Sequence, residues 1–160
     1  MKDPEKNRRR VLFISGLNAW SIIVVAGLFA LISMLLVDVW GTVVGIAVLV
    51  SPWMELKGRK RLMLQQGQAR RWLTRSQLWL FAVITIYCIS QLLIFHFSPA
   101  LQDMPSDLQE SLRTLLALDA RELQALLSQI YYVVYLSVIM VSFLYQGGLY
   151  WYYRRHVAES

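Results

Sequence analysis

A chain of 160 residues with 57% hydrophobic content and a mean hydropathy of +0.46 carries more apolar surface than one small soluble core can hide. This predicts a membrane protein and argues against an ordinary soluble domain. The net charge of +6 does not point to nucleic acid, because the basic residues lie in short segments flanking apolar runs and not on one face of a soluble fold.

The N-terminal decapeptide holds Lys2, Lys6, Arg8, Arg9 and Arg10 against Asp3 and Glu5, and 27 uncharged residues from Val11 to Val37 follow. The apolar run is too long for a signal peptide core and ends without a small-x-small cleavage site, so an uncleaved first span over 11–36 is expected. Arg9-Arg10 before this run reads as the basic flank of a membrane helix, not as a twin-arginine signal. A tight turn, Val37-Asp38-Val39-Trp40-Gly41, leads into 16 uncharged residues from Val39 to Met54, the core of a second span over 39–56. Asp38 is placed to cap that helix, and Trp40 suits the headgroup zone.

The segment 55–75 then carries Lys57, Arg59, Lys60, Arg61, Arg70, Arg71 and Arg75 against the single acid Glu55. Such a loop is costly to move across a bilayer, which assigns it to the cytoplasmic side. Gln65, Gln66, Gly67 and Gln68 mark a break between an extension of the second helix and the start of the third. Ser76 to Gln102 are again uncharged and supply a third span over 77–97.

The outer loop, 98–127, is acidic, with Asp103, Asp107, Glu110, Asp119 and Glu122 against Arg113 and Arg121. Pro99 and Pro105 break the chain after the span. Ser106 with Gln109, and Asp119 with Glu122, have capping-box spacing, predicting one helix over Asp107 to Leu118 and another from Ala120. Leu108, Leu112 and Leu115 give the first an apolar stripe, expected to lie on the membrane surface or over the mouth of a bundle, with docking of a partner as the alternative. A fourth span over 128–152 follows within the uncharged run Leu123 to Tyr153, closed by Tyr150 to Tyr153 and by Arg154 and Arg155. These form an aromatic belt and a basic stop.

The predicted fold is therefore an all-α integral membrane protein, a four-transmembrane-helix bundle in one domain with both termini inside and a short amphipathic helix in the outer loop. With this topology 14 of the 16 basic residues are cytoplasmic, only Arg113 and Arg121 lie outside, and six of the ten acids are outside. The positive-inside rule is met without exception.

Lipid gives helices no hydrophobic reason to associate, so small and polar residues should mark their contacts. Ala19, Ala26 and Ser33 recur every seven residues in the first span, and Gly41 and Gly45 form a GxxxG in the second. Asn18 and Gln146 lie at similar depth, about 10 and 12 Å from the inner edge at roughly 1.5 Å per residue, so a hydrogen bond between neighbouring first and fourth helices is expected. Gln91 and Ser137 are a second such pair. All four read as packing contacts and not as a transport path, because the spans are expected to hold no buried ionisable residue. Gly147-Gly148 is a candidate kink or close-approach site.

No cofactor or metal is expected: His96 and His156 lie at opposite ends of the membrane, Cys88 lacks a disulfide partner, and no GxSxG, HExxH, CxxC, GxGxxG or Walker A pattern occurs. The acids of the outer loop read as solvated charges, leaving no support for catalysis. The expected partners are the lipid bilayer, whose headgroups the basic residues of 55–75 with Arg154 and Arg155 would meet, and other membrane proteins or a second copy. In overall pattern the chain resembles the small four-helix inner-membrane proteins of bacteria, which implies a cytoplasmic-membrane location; no diagnostic motif carries the resemblance. The expected role is an accessory, scaffold or assembly subunit. The alternative is a homo-oligomeric small transporter or channel, and the third reading is a membrane-embedded enzyme acting on lipid.

Overall fold

In a computed structural model the described residues, 4–97, 105–117 and 119–157, form five α-helices and no strand. They are α1 (Pro4–Leu35), α2 (Val39–Met63), α3 (Ala69–Phe97), α4 (Ser106–Leu116) and α5 (Ala120–His156). All except α4 are long and apolar enough to cross a membrane. Asp103 and Pro99, and the predicted helix end at Leu118, lie outside the described residues.

The helix boundaries follow from local chemistry. α1 ends with Asp38 N–H donating to Ser33 O and Val37 N–H to Met34 O, closing its last carbonyls, and this requires Val37 to adopt a left-handed φ of 58°. Asp38 then caps α2, its Oδ1 accepting from Gly41 N–H at 3.0 Å. The same closure ends α2, with Gln65 at φ 53° and bonds from Gln65 to Leu62 and from Gln66 to Arg61.

The break is therefore confined to 64–68, and most of the basic segment 55–75 is helix. Glu55 to Met63 continue the second span, because nothing after Pro52 interrupts the ladder until the left-handed Gln65. α4 begins at Ser106 with Pro105 as its N-cap, so Ser106 is not the cap: its hydroxyl bonds the Asp107 side chain instead. Asp119 and Glu122 do form a reciprocal capping box, at 2.8 and 3.0 Å. α5 runs unbroken through Gly147 and Gly148.

The chain divides into two compact units, one formed by residues 1–84 with 142–160 and the other by 85–141. In the first, α1 and α2 are an antiparallel pair whose contacts descend along α2 as they rise along α1. Gly16 meets Arg59, Asn18 meets Glu55, Ala30 meets Gly45 and Ser33 meets Gly41. A Cβ on Gly45 would stand 2.7 Å from the Ala30 Cβ, so glycine is what permits this approach. α3 packs antiparallel on α2, with Ser51 Oγ donating to Ser76 O at 3.0 Å and Trp79 Nε1 to Ala47 O at 2.9 Å. Val11, Ala69, Leu73, Tyr153 and Val157 form an apolar cluster joining α1, α3 and α5, and Leu62 of α2 packs against it.

In the second unit the α3 and α5 segments meet through an aromatic ladder. Phe95 stacks on Tyr131 at 4.2 Å between centroids, and Tyr131 and Tyr87 both approach Tyr135. α4 belongs to this unit and buries no residue. Leu108 and Leu115 are exposed and Leu112 is half-buried.

Candidate functional site

Among the described residues the first unit contains one fully buried carboxyl, Glu55 of α2, reached by side chains of α1 and α5. Glu55 follows the apolar run of α2 and lies on the face that Gly41, Gly45 and Pro52 also occupy, all of them buried. Residues 41 and 55 are 14 apart, close to four helical turns, so the face that packs closely at Gly41 returns at Glu55. The result is an ionisable side chain with no solvent exposure inside one of the four long apolar helices. This corrects the expectation that the spans hold no buried ionisable group. The reason is that α2 runs on past Met54 and carries Glu55 into the helix interface instead of releasing it into a loop.

Both carboxyl oxygens are occupied. Tyr153 of α5 donates its hydroxyl to Oε1 at 2.5 Å, and Asn18 of α1 donates Nδ2–H to Oε2 at 2.6 Å. Tyr145 of α5 donates to Asn18 Oδ1 at 3.0 Å, and Gln77 of α3, fully buried in the same unit, donates Nε2–H to Ser76 Oγ at 3.2 Å. Ser15, Ser51 and Ser76 are buried in the same unit. The network is made from neutral donors. Arg59, one turn along α2, makes no ion pair among the described residues; its guanidinium lies against Gly16, and its Nε is buried without a hydrogen-bond partner.

Asn18 is therefore at a polar contact between helices, but its partners are Glu55 and Tyr145 and not Gln146. Gln146 is buried on α5 with its Oε1 unpartnered, because Tyr145, the preceding residue, reaches Asn18 first. The second expected pair is also not made. Gln91 accepts from Tyr131 at 3.2 Å, while Ser137 is exposed. Ala19, Ala26, Ser33, Gly41 and Gly45 are all buried, with Ser33 beside Gly41. Among the basic residues, Lys60, Arg71, Arg75, Arg154 and Arg155 are exposed, and Lys57, Arg59, Arg61 and Arg70 are half-buried.

Chemically, the arrangement ties α1, α2 and α5 through one carboxyl. A buried polar group lacking its partner costs about 1–3 kcal/mol, so separating any of these helices is penalised. Among the described residues no three His, Cys, Asp or Glu side chains gather as metal ligands. A signal for Glu55 does exist in the sequence: it is the lone acid beside seven bases and falls on the helical continuation of the GxxxG face. Tyr153 reads in sequence as part of the aromatic belt, and nothing in its local surroundings distinguishes it from Tyr150 or Tyr152. Compared with known protein families, curated proteins and solved structures, the chain shows no match.

Proposed function

We propose that the protein is a non-enzymatic accessory or assembly subunit of a membrane complex, with both termini and the 64–68 turn on the cytoplasmic side of a bacterial inner membrane. The observation that carries the subunit role is the bareness of α5. Only 6% of its membrane-length window is buried by the rest of the chain, against 33% for α1 and α2. Its exposed positions include Ser137, Gly147 and Gly148 beside the large apolar side chains. Among the described residues, nothing beyond the chain neighbours and the adjacent backbone of α5 itself comes within 4 Å of where a Cβ on either glycine would stand. Small and polar residues on a membrane helix favour close approach by another helix over lipid. The three-helix network at Glu55 fits this role, since a subunit that presents one helix outward needs its own helices held together.

The test is gentle extraction of the tagged chain from its own membrane, with native mass and co-purifying proteins measured. A foreign membrane protein in fixed stoichiometry, lost in a Gly147→Leu/Gly148→Leu variant that still extracts as folded protein, supports the reading; a homo-oligomer without partners sinks it. Orientation is tested separately, in a Cys88→Ala background, by labelling Gln66→Cys and Gln109→Cys with a membrane-impermeant maleimide. Only Gln109→Cys should react in intact cells.

A second reading is favoured by Glu55 itself. An ionisable residue inside a membrane helix is a common mark of a substrate or ion path. Under that reading the chain is a homo-oligomeric transporter, and flux into liposomes should be abolished by Glu55→Gln.

A further inference from the structure

Two cations and two indoles gather where α2 and α3 approach their shared turn. Trp53, Lys57 and Arg61 recur every four residues along α2 and so form one stripe, with Trp72 of α3 beside it. Lys57 Nζ stands 5.0 Å from the Trp53 ring centroid and 4.1 Å from that of Trp72, whose rings meet edge to face at 6.1 Å. The Arg61 guanidinium lies 5.6 Å from the Trp72 centroid and donates to Gln68 Oε1 at 2.8 Å. Two cations about 6 Å apart along the axis are thus held in place by indoles and an amide. Among the described residues neither has a carboxylate partner.

The stripe continues away from the charges as exposed apolar surface, Trp53, Val50, Ile46 and Val43. The spacing of these residues keeps them on one side of α2, so an apolar track runs directly into a pair of fixed cations. A free anion would use only the charged end, whereas an amphiphile uses both. The net positive charge at that end also disfavours a zwitterionic headgroup, whose own cation would be brought against Lys57 and Arg61.

We infer that Trp53, Lys57, Arg61 and Trp72 bind the headgroup of one anionic phospholipid, with an acyl chain laid along Val50, Ile46 and Val43. The inference rests on the helices crossing a membrane and is independent of the accessory role, so a failed search for protein partners leaves it standing.

The experiment is native mass spectrometry of the purified full chain in detergent, titrated with phosphatidylglycerol or phosphatidylcholine of identical acyl chains. One phosphatidylglycerol per chain is expected to be retained in preference to phosphatidylcholine. Lys57→Gln/Arg61→Gln should lower that affinity about tenfold or more, at roughly 1 kcal/mol per cation. The pair Arg9→Gln/Arg10→Gln, which removes the same charge from the exposed start of α1, should lower it less than about twofold, and Lys57→Arg/Arg61→Lys should restore binding. Equal retention of the two lipids, equal loss in both neutralised pairs, or displacement of phosphatidylglycerol by millimolar inorganic phosphate would each overturn the inference. The last would mark a simple anion site. Unchanged circular dichroism in every variant separates lost binding from lost folding.

Discussion

Tyr153→Phe isolates the contribution of the buried carboxyl network, because it deletes one hydroxyl and leaves the ring that packs with Val11, Leu73 and Val157. Glu55 Oε1 then loses its donor, and no water replaces it at a residue with no exposed surface. A buried acceptor left unpaired costs about 1–3 kcal/mol in soluble proteins, whereas polar contacts between membrane helices average about 0.6 and reach about 1.7 kcal/mol. The lower membrane values arise because helices separated in lipid still find other partners. Here the bond is short and its acceptor enclosed, so a loss of about 1–1.5 kcal/mol is expected, near the top of the membrane range. The assay is reversible unfolding in mixed micelles, run as a double-mutant cycle with Glu55→Met. In the Glu55→Met background the Tyr153 hydroxyl has no carboxyl to bond, so its removal should cost close to nothing. Equal costs of Tyr153→Phe in both backgrounds, within about 0.3 kcal/mol, would refute the argument that this hydroxyl acts through Glu55.

Gly45→Ala should destabilise by about 1–3 kcal/mol in the same unfolding assay, since the new methyl meets the Ala30 Cβ at 2.7 Å, whereas Gly147→Ala should leave the isolated chain unchanged or raise its stability by up to about 1 kcal/mol. Val37→Gly relieves a branched residue held at φ 58° and should raise stability by about 1 kcal/mol; a loss would show that the Val37 side chain makes a compensating contact. Asp119→Ala removes one half of the capping box and should cost about 1 kcal/mol locally, seen as faster hydrogen exchange at Arg121 to Leu123 with the rest of α5 unaffected.

The four long helices were legible in the sequence because hydropathy over some 20 residues is a property of composition, requiring no knowledge of what lies opposite. The same holds for chemistry that closes within one turn: Asp38 and the Asp119–Glu122 pair cap their helices as their spacing implies, since both members lie in the same short segment. Even the break at Gln65 to Gln68 was visible as a local change in residue type. The partners of buried polar groups were not. Matching Asn18 to Gln146 by depth found α5 as the neighbour but the wrong side chain, because depth fixes a level on a helix and leaves its rotation free. Glu55 read as a loop acid for a related reason: whether a charge one turn beyond an apolar run is released to water depends on how far the helix continues and which face it turns inward. Composition and periodicity determined that this chain has four helices fit for a membrane. Only the tertiary structure decided that Glu55 and Tyr153, 98 positions apart, share a hydrogen bond, because helix rotation is set by packing against neighbours: α2 by the approach of Gly45 to Ala30 of α1, and α5 by Tyr153 packing with Val11 and Leu73.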